Sequence, residues 1–229
     1  MNFLAVETSG REGSIALLRE GEEPVERMLA SDGRRHAQTL VADACALLDE
    51  HGLGPRDTDC VGVSLGPGSF TGLRVGIVFA KTFGWINKCP IVAVPTLEAC
   101  AAKAGSDSEH VCVVSDAQRG EVFFGEYTIT DNRPHPLTEV QIVSVEQART
   151  LLMPQSVLTG PGLVKYGAEL AGVCRVADES TWSPQAGIIA RLSQAALATG
   201  NIADPWKLEP FYLRRSAAEE KRDGVGVGQ

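Results

Sequence analysis

The stretch GPGSFTGLRVG, residues 66–76, decides how the rest of the chain is read. Four glycines fall within it, an apolar run (CVGVSL, 60–65) precedes it, and a second apolar segment follows at once. A Gly-rich loop between a strand and a helix can cradle phosphate on free helix N–H groups, or it can bring a helix backbone close to a neighbour. The phosphate reading has two well-defined sequence forms, and neither fits. A Walker loop needs G-x-x-x-x-G-K-[ST], whereas no lysine precedes Lys81. A dinucleotide fingerprint needs G-x-G-x-x-G, whereas Gly66, Gly68 and Gly72 are spaced G-x-G-x-x-x-G.

The small residues instead continue into the helix predicted over 72–87. Gly72, Gly76, Ala80 and Gly84 recur every four residues and form one stripe. Each internal glycine costs about 1 kcal/mol of helix propensity relative to alanine, so the stripe implies a close backbone neighbour. That neighbour can be the chain's own sheet, or a partner subunit. Around the stripe lie Leu73, Val75, Ile77, Val78, Phe79, Phe83, Trp85 and Ile86, a surface apolar nearly all round that needs cover on every side.

Working outward, residues 2–6, 14–19 and 25–30 read as three strands joined by turns. An amphipathic helix is predicted over 36–50 from the spacing of Ala37, Leu40, Val41, Ala44, Leu47 and Leu48. A strand over 60–65, the helix over 72–87, a strand over 90–94 and a helix capped by Thr96 complete the first half. The second half repeats the order: strands over 111–115, 121–129 and near 139–143, a helix over 145–152, a strand over 156–159, and helices near 163–171 and 184–199. FLAVETSGREGSIALL and VCVVSDAQRGEVFFGEY share an apolar strand, an acid (Glu7 or Asp116), a turn with Arg and Gly, and a second strand. The expectation is a two-lobed α/β protein with a duplicated mixed sheet. Its lobes are 1–105 and 106–216, divided at AGSDSEH (104–110), with the last helix able to return to the first lobe and a frayed tail over 217–229.

Composition narrows the function classes. Of 229 residues 44% are apolar and 22% charged, as in an ordinary globular protein. The start reads as no signal peptide, and no apolar run is long enough to span a membrane. The six cysteines form no C-x-x-C pair, which points to reduced, mostly buried thiols and a cytoplasmic protein. Net charge is −8 and the isoelectric point about 5.1, and basic residues cluster only at Arg34–Arg35, Arg214–Arg215 and Lys221–Arg222. A chain of that charge does not grip nucleic acid unaided, since phosphate neutralisation supplies most such affinity.

Three candidate chemistries were weighed. GVSLG (62–66) matches G-x-S-x-G around Ser64, but a nucleophile elbow turns directly into its helix, and here Pro67 and further loop residues intervene. His36, His51, His110 and His135 include no pair spaced for one metal, so no metal site is expected. Glu7, Thr8 and Ser9, with Asp116 in the second half, could be a degenerate nucleotide site: an acid ending a strand before hydroxyls and glycine suits metal and phosphate contacts. The plain alternative is a hairpin turn whose hydroxyls bond local backbone.

LAVETSG, RRHAQTL, SLGPGSFTGLRVGIVFAKTFGW, VPTLEA, DAQRGEVFFGEY and EPFYLRR run in order from Leu4 to Arg215. Together they resemble the bacterial TsaB family of the tRNA threonylcarbamoyladenosine (t6A) machinery. The resemblance implies an actin/Hsp70/sugar-kinase-like fold. It implies a non-catalytic subunit that docks on and activates TsaD, the transferase modifying the adenosine beside the anticodon, with TsaE, a small ATPase, joining them. It implies a homodimer when the chain is alone, tRNA contact only through the complex, and no cofactor beyond weak or absent nucleotide binding. By position, the interface would take in His36, Leu40, Ala44, Gly72, Gly76, Ala80, Phe83 and Gly84. Glu7 stands where the family usually has Asp, and Phe123 takes the aromatic position after GEV. The His-x-x-x-His pair of TsaD-like proteins is missing, and a peptidase label once attached to this superfamily finds no nucleophile or metal set in the sequence.

Overall fold

The apolar run NFLAVE has Phe3, Leu4, Ala5 and Val6 all fully buried, so the strand it forms must be covered on both faces. In the computed structural model, which describes residues 1–29, 36–105, 109–131 and 133–213 (side chains of His36 and Ala37 aside), that strand is the centre of the first sheet. β1 (Asn2–Glu7), β2 (Ser14–Arg19) and β3 (Val25–Met28) run antiparallel; β4 (Cys60–Gly66) and β5 (Ile91–Pro95) add in parallel, in the order β3-β2-β1-β4-β5. The second sheet repeats this plan with β6 (His110–Gln118), β7 (Glu121–Thr130), β8 (Arg133–Pro136), β10 (Val157–Thr159) and β11 (Arg175–Val176), in the order β11-β10-β6-β7-β8. β9 (Gln141–Ser144) pairs separately with β7. This duplicated α/β architecture with mixed sheets is the fold class the sequence predicts.

Alternation along β1 sends its side chains to two cores. Leu4 and Val6 meet α1 (His36–Glu50) and α2 (Phe70–Asn87) through Leu40, Leu47, Ile77 and Ala80. Phe3 and Ala5 meet Ala186, Ile189 and Ala190 of α6 (Ala186–Ala198). Thus α6, which follows the second sheet in the chain, lies on the first. Its close approach is set by Gly62, where any Cβ would strike the Ser193 hydroxyl. In the reverse sense α3 (Thr96–Ala104), which follows the first sheet, buries Leu97, Cys100 and Ala101 against β6 and β7 of the second. α4 (Val145–Leu151) and α5 (Leu163–Leu170) cover that sheet's other face through Val145, Ala148, Leu163 and Leu170.

Several boundaries differ from expectation for physical reasons. α2 starts at Phe70 because Ser69 is its N-cap, its hydroxyl accepting from Gly72 N at 3.2 Å. Thr96 does not cap α3; Pro95 stands at the N-cap, and the Thr96 hydroxyl accepts from Gly66 N at 3.2 Å across the sheet. β8 (RPHP) carries two prolines and went unseen in the sequence; it is an edge strand, where missing donors do no harm. β11 has only two residues, too few for any period. The cysteines are all free: Cys60, Cys89, Cys100 and Cys112 are buried, Cys174 is half-buried and Cys45 exposed. Residues 106–108 of the expected lobe boundary, the tail 217–229 and the basic pairs Arg34–Arg35, Arg214–Arg215 and Lys221–Arg222 lie outside the described residues.

The small-residue stripe of α2 faces inward. A Cβ on Gly72 would overlap the Thr8 carbonyl oxygen, one on Gly76 would sit 2.5 Å from Thr8 Oγ1, and one on Gly84 2.9 Å from Ile91 Cγ1. Gly72→Ala therefore has to push α2 off the first sheet, and urea unfolding should register a loss of about 3 kcal/mol or an insoluble product. Gly167→Ala, in α5 where nothing lies within 4 Å of the added Cβ, should instead gain about 0.5–1 kcal/mol in the same assay.

Candidate functional site

β1 ends in Glu7, and the turn after it is bolted to the start of α2. Ser69 N donates to Ser9 O at 2.7 Å, and Thr8 Oγ1 donates to Gly72 O at 2.8 Å. A Cβ on Gly68 would lie 2.6 Å from Ser9 O, so Gly68 and Gly72 are glycines because this turn lies across them. The turn and the loop close on each other. The local-hairpin reading of Thr8 and Ser9 comes close, but the backbone they engage is 60 residues away.

Glu7 is fully buried. Its Oε1 accepts from Ser9 N and Ser9 Oγ, each at 2.5 Å, while Oε2 has no hydrogen-bond partner. The Ser64 hydroxyl is near enough to favour the ionised carboxyl slightly, yet it too lacks a partner in hydrogen-bond geometry. Burial outweighs these polar contacts and raises the Glu7 pKa. Asp116, on the other sheet, is differently placed: partly exposed, it accepts from Gln118 N, Tyr166 Oη and Lys165 Nζ at 2.8, 3.1 and 3.1 Å. Desolvation pulls its pKa up, but those donors together hold it below the usual value. The two acids of the candidate nucleotide site are thus a sealed carboxyl and a carboxylate already engaged by an ion pair. Neither lines either of the two cavities described below.

The elbow serine also lacks a catalytic partner among the described residues. Among the described residues no histidine bonds Ser64; His51 Nδ1 meets Leu47 O at 2.8 Å, and His110 meets Ser156 Oγ at 2.7 Å and Glu126 at 3.4 Å. His110, Cys112 and Glu126 are the described groups whose ligand atoms come within 4.8 Å of one another. Cross-strand pairing of Cys112 with Glu126 brings them together, which no linear spacing reveals. Both His110 nitrogens face protein partners, and burial pushes the Cys112 thiol up to about 12, away from the thiolate a metal needs.

An open groove lies between α1 and α2. A groove of about 870 Å³ is lined by Leu40, Val41, Cys45, Val75, Val78 and Ile86, with Arg56 and Arg74 at its margins. Val41, Val78 and Ile86 are each about 60% exposed (61%, 62% and 60%), unusual for aliphatic side chains on two adjoining helices. No helix among the described residues is long and apolar enough to cross a membrane.

Most of the expected interface residues lie in the core of the chain itself. Gly76, Ala80 and Gly84 are buried against the chain's own sheet, and Gly72, half-buried, packs on Thr8. Ala44 is core, and Leu40 and Phe83 are buried residues that only floor the groove. His36 is the first residue of α1, and its side chain lies outside the described residues. The outward stripe is Arg74, Val78, Thr82 and Ile86, each in the groove lining. It is offset by two residues from the small-residue stripe, about 200° round the helix, and hence on the opposite face. That offset was available in the sequence: once the glycines are given to the sheet, the exposed stripe follows.

Comparison with known proteins agrees with this architecture. The family model TsaD, tRNA N6-adenosine threonylcarbamoyltransferase, matches residues 29–171. A Haemophilus influenzae protein named as tRNA threonylcarbamoyladenosine biosynthesis protein TsaB is 27% identical over 235 residues, 98% of this chain and 98% of that one. The Bacillus subtilis protein of the same name is 35% identical over 127 residues; that match takes in 56% of this chain and 55% of the relative. A solved structure from Pseudomonas aeruginosa, described as similar to the peptidase YEAZ, superposes with TM-score 0.81 at 26% identity, covering 93% of this chain and 99% of the other.

Glu7→Gln gives the geometry a direct test. The unfolded carboxyl ionises near 4.5, whereas the folded one resists ionisation, so native stability falls as pH rises above 4.5 until the raised folded pKa is passed. An amide keeps the Ser9 contacts and offers Ser64 a donor. Thermal melts should show the variant level with the parent near pH 4.5 and progressively more stable than it from pH 5 to pH 8.

Proposed function

The chain belongs to the TsaD family, within its TsaB group, and from that premise we propose that it acts in tRNA threonylcarbamoyladenosine biosynthesis as a non-catalytic subunit that docks on a TsaD-like transferase through the α1–α2 groove and activates it. The observation that carries this reading is the groove itself: aliphatic side chains of two helices stand in water with no segment of the described chain over them. A matching helix pair would cover Val41, Val78 and Ile86 as ridges in grooves, and each such side chain withdrawn from water contributes about 1.5–3 kcal/mol. A second copy of the chain can present the same two helices, so a homodimer forms when the transferase is absent. A TsaE-like ATPase joins the assembled pair.

The absence of catalysis in this chain rests on the sealed turn. Glu7 offers no solvent-facing oxygen to a metal or nucleotide, and among the described residues Ser64 has no hydrogen-bonded base. The −8 charge leaves tRNA to be held by the complex, in the cytoplasm where the substrate is modified.

Val78→Asp and Ile86→Asp are the discriminating variants. Each adds a charge that must be buried unpaired on docking, which should weaken binding to the TsaD-like partner about 100-fold or more. Nucleoside mass spectrometry of tRNA modified by the reconstituted subunits should show t6A falling in parallel, and the melting temperature of the free chain should stay within about 2 °C of the parent, as for other exposed sites. Full partner binding by both variants would remove the groove from the reading. Micromolar binding of ATP with magnesium to the isolated chain, lost on Glu7→Ala, would favour a nucleotide-dependent enzyme instead.

A further inference from the structure

A second cavity, of about 680 Å³, lies where the two sheets meet and shares no lining residue with the helix groove. Leu65, Pro67 and Pro95, at the ends of β4 and β5, form one wall; Pro136, Val140 and Phe211 form the other. The ends of parallel strands in an α/β sheet are where ligands commonly enter. Its size suits a small molecule, and apolar walls with a few convergent polar groups are the usual make-up of such a site.

The polar groups are few and of one kind. Glu98, in the first turn of α3, is half-buried, and Tyr127 of β7 is 3% exposed. No protein hydrogen bond engages either side chain among the described residues, although both border the same space. Glu139 adds a second carboxyl to the lining. No lysine or arginine among the described residues lines the cavity. Lys103, the cation on α3, is turned to the Ser180 and Ser183 carbonyls instead. Carboxyls, a phenol and the Thr138 hydroxyl, with no cation among the described lining residues, repel phosphate and attract a protonated amine.

We propose that this cavity binds a small molecule with a compact apolar body and a protonated amine, the ammonium seated between Glu98 and Tyr127 and the body against the Leu, Pro and Phe walls. Because residues from both sheets close around it, such a ligand would also hold the two sheets together. Burial lifts the Glu98 carboxyl to about 7. The groups facing it do not compensate: Tyr127 and the Cys100 thiol are both raised, so they stay neutral near pH 7, and Glu139 is another acid. An ammonium pairs with Glu98 only in its ionised form. Below about 7 the carboxyl holds its proton and must release it on binding, so affinity rises with pH between 6 and 8.

The test is calorimetric titration of the full chain with phenethylamine, with 2-phenylethanol as the uncharged isostere and AMP as the anion. Phenethylamine is expected to bind at pH 8 and about tenfold more weakly at pH 6, one pKa unit of linkage. Glu98→Gln should lose about tenfold or more at pH 8 and abolish the pH dependence, with its melting temperature at pH 6 unchanged because the amide replaces a neutral acid. Tyr127→Phe should weaken the amine by a smaller factor at both pH values. The proposal is overturned if phenethylamine shows no binding below about 10 mM, if 2-phenylethanol or AMP binds as tightly as the amine at pH 8, or if Glu98→Gln retains full affinity.

Discussion

The structure depends on the contact between the Thr8–Ser9 turn and the opening of α2. The Thr8 carbonyl lies where Gly72 has no Cβ, the Thr8 hydroxyl donates to Gly72 O at 2.8 Å, and Ser9 O receives Ser69 N at 2.7 Å. Any side chain at Gly68, Gly72 or Gly76 would separate the central strand from the helix that covers it. The helix-propensity cost of these glycines, about 1 kcal/mol each at interior positions, is offset because they let α2 seat directly on β1 and β4.

Two consequences follow from that seating. Glu7 and Ser64 end up buried beneath the closed turn, Glu7 Oε2 and the Ser64 hydroxyl each without a hydrogen-bond partner. A related arrangement with an open turn would expose an acid and hydroxyls to a cleft; here the same residue types are spent on closure. Fixing one face of α2 against the sheet also fixes the other: Arg74, Val78, Thr82 and Ile86 turn outward beside Val41 of α1, and an apolar groove is left open. The exposed groove thus lies on the far side of the same helix whose glycines hold the fold together. The exchange of helices works in the same direction. α3 leaves the first sheet for the second and α6 comes back, so neither sheet is covered on both faces without the other half of the chain.

Most of the fold was legible in the sequence. The buried run of β1, the 3–4 spacing of α1 and the repetition of acid, turn and strand around Glu7 and Asp116 place nearly every element, because burial on one or two faces imposes a period that composition displays. β8 and β11 were not legible: one is an edge strand that tolerates prolines, the other has two residues. The residues that line the groove were less legible than the helices that carry them. A glycine stripe signals a close neighbour without saying whose backbone it is. The His110–Cys112–Glu126 cluster and the Glu98–Tyr127 cavity gave no linear signal at all, since cross-strand pairing and the meeting of two sheets create them.

By itself the sequence determined a duplicated α/β chain, the place of each long helix and strand, and the group of proteins it resembles, because those follow from periodicity, turn residues and ordered motifs. Only the tertiary structure decided which face of α2 is buried in the chain and which is left exposed, and whether the ETSG turn is open or sealed. The physical reason is that a helix presents its whole circumference in the sequence. Which stripe is buried depends on what lies within a few ångströms, and here that is a carbonyl oxygen 64 residues away along the chain.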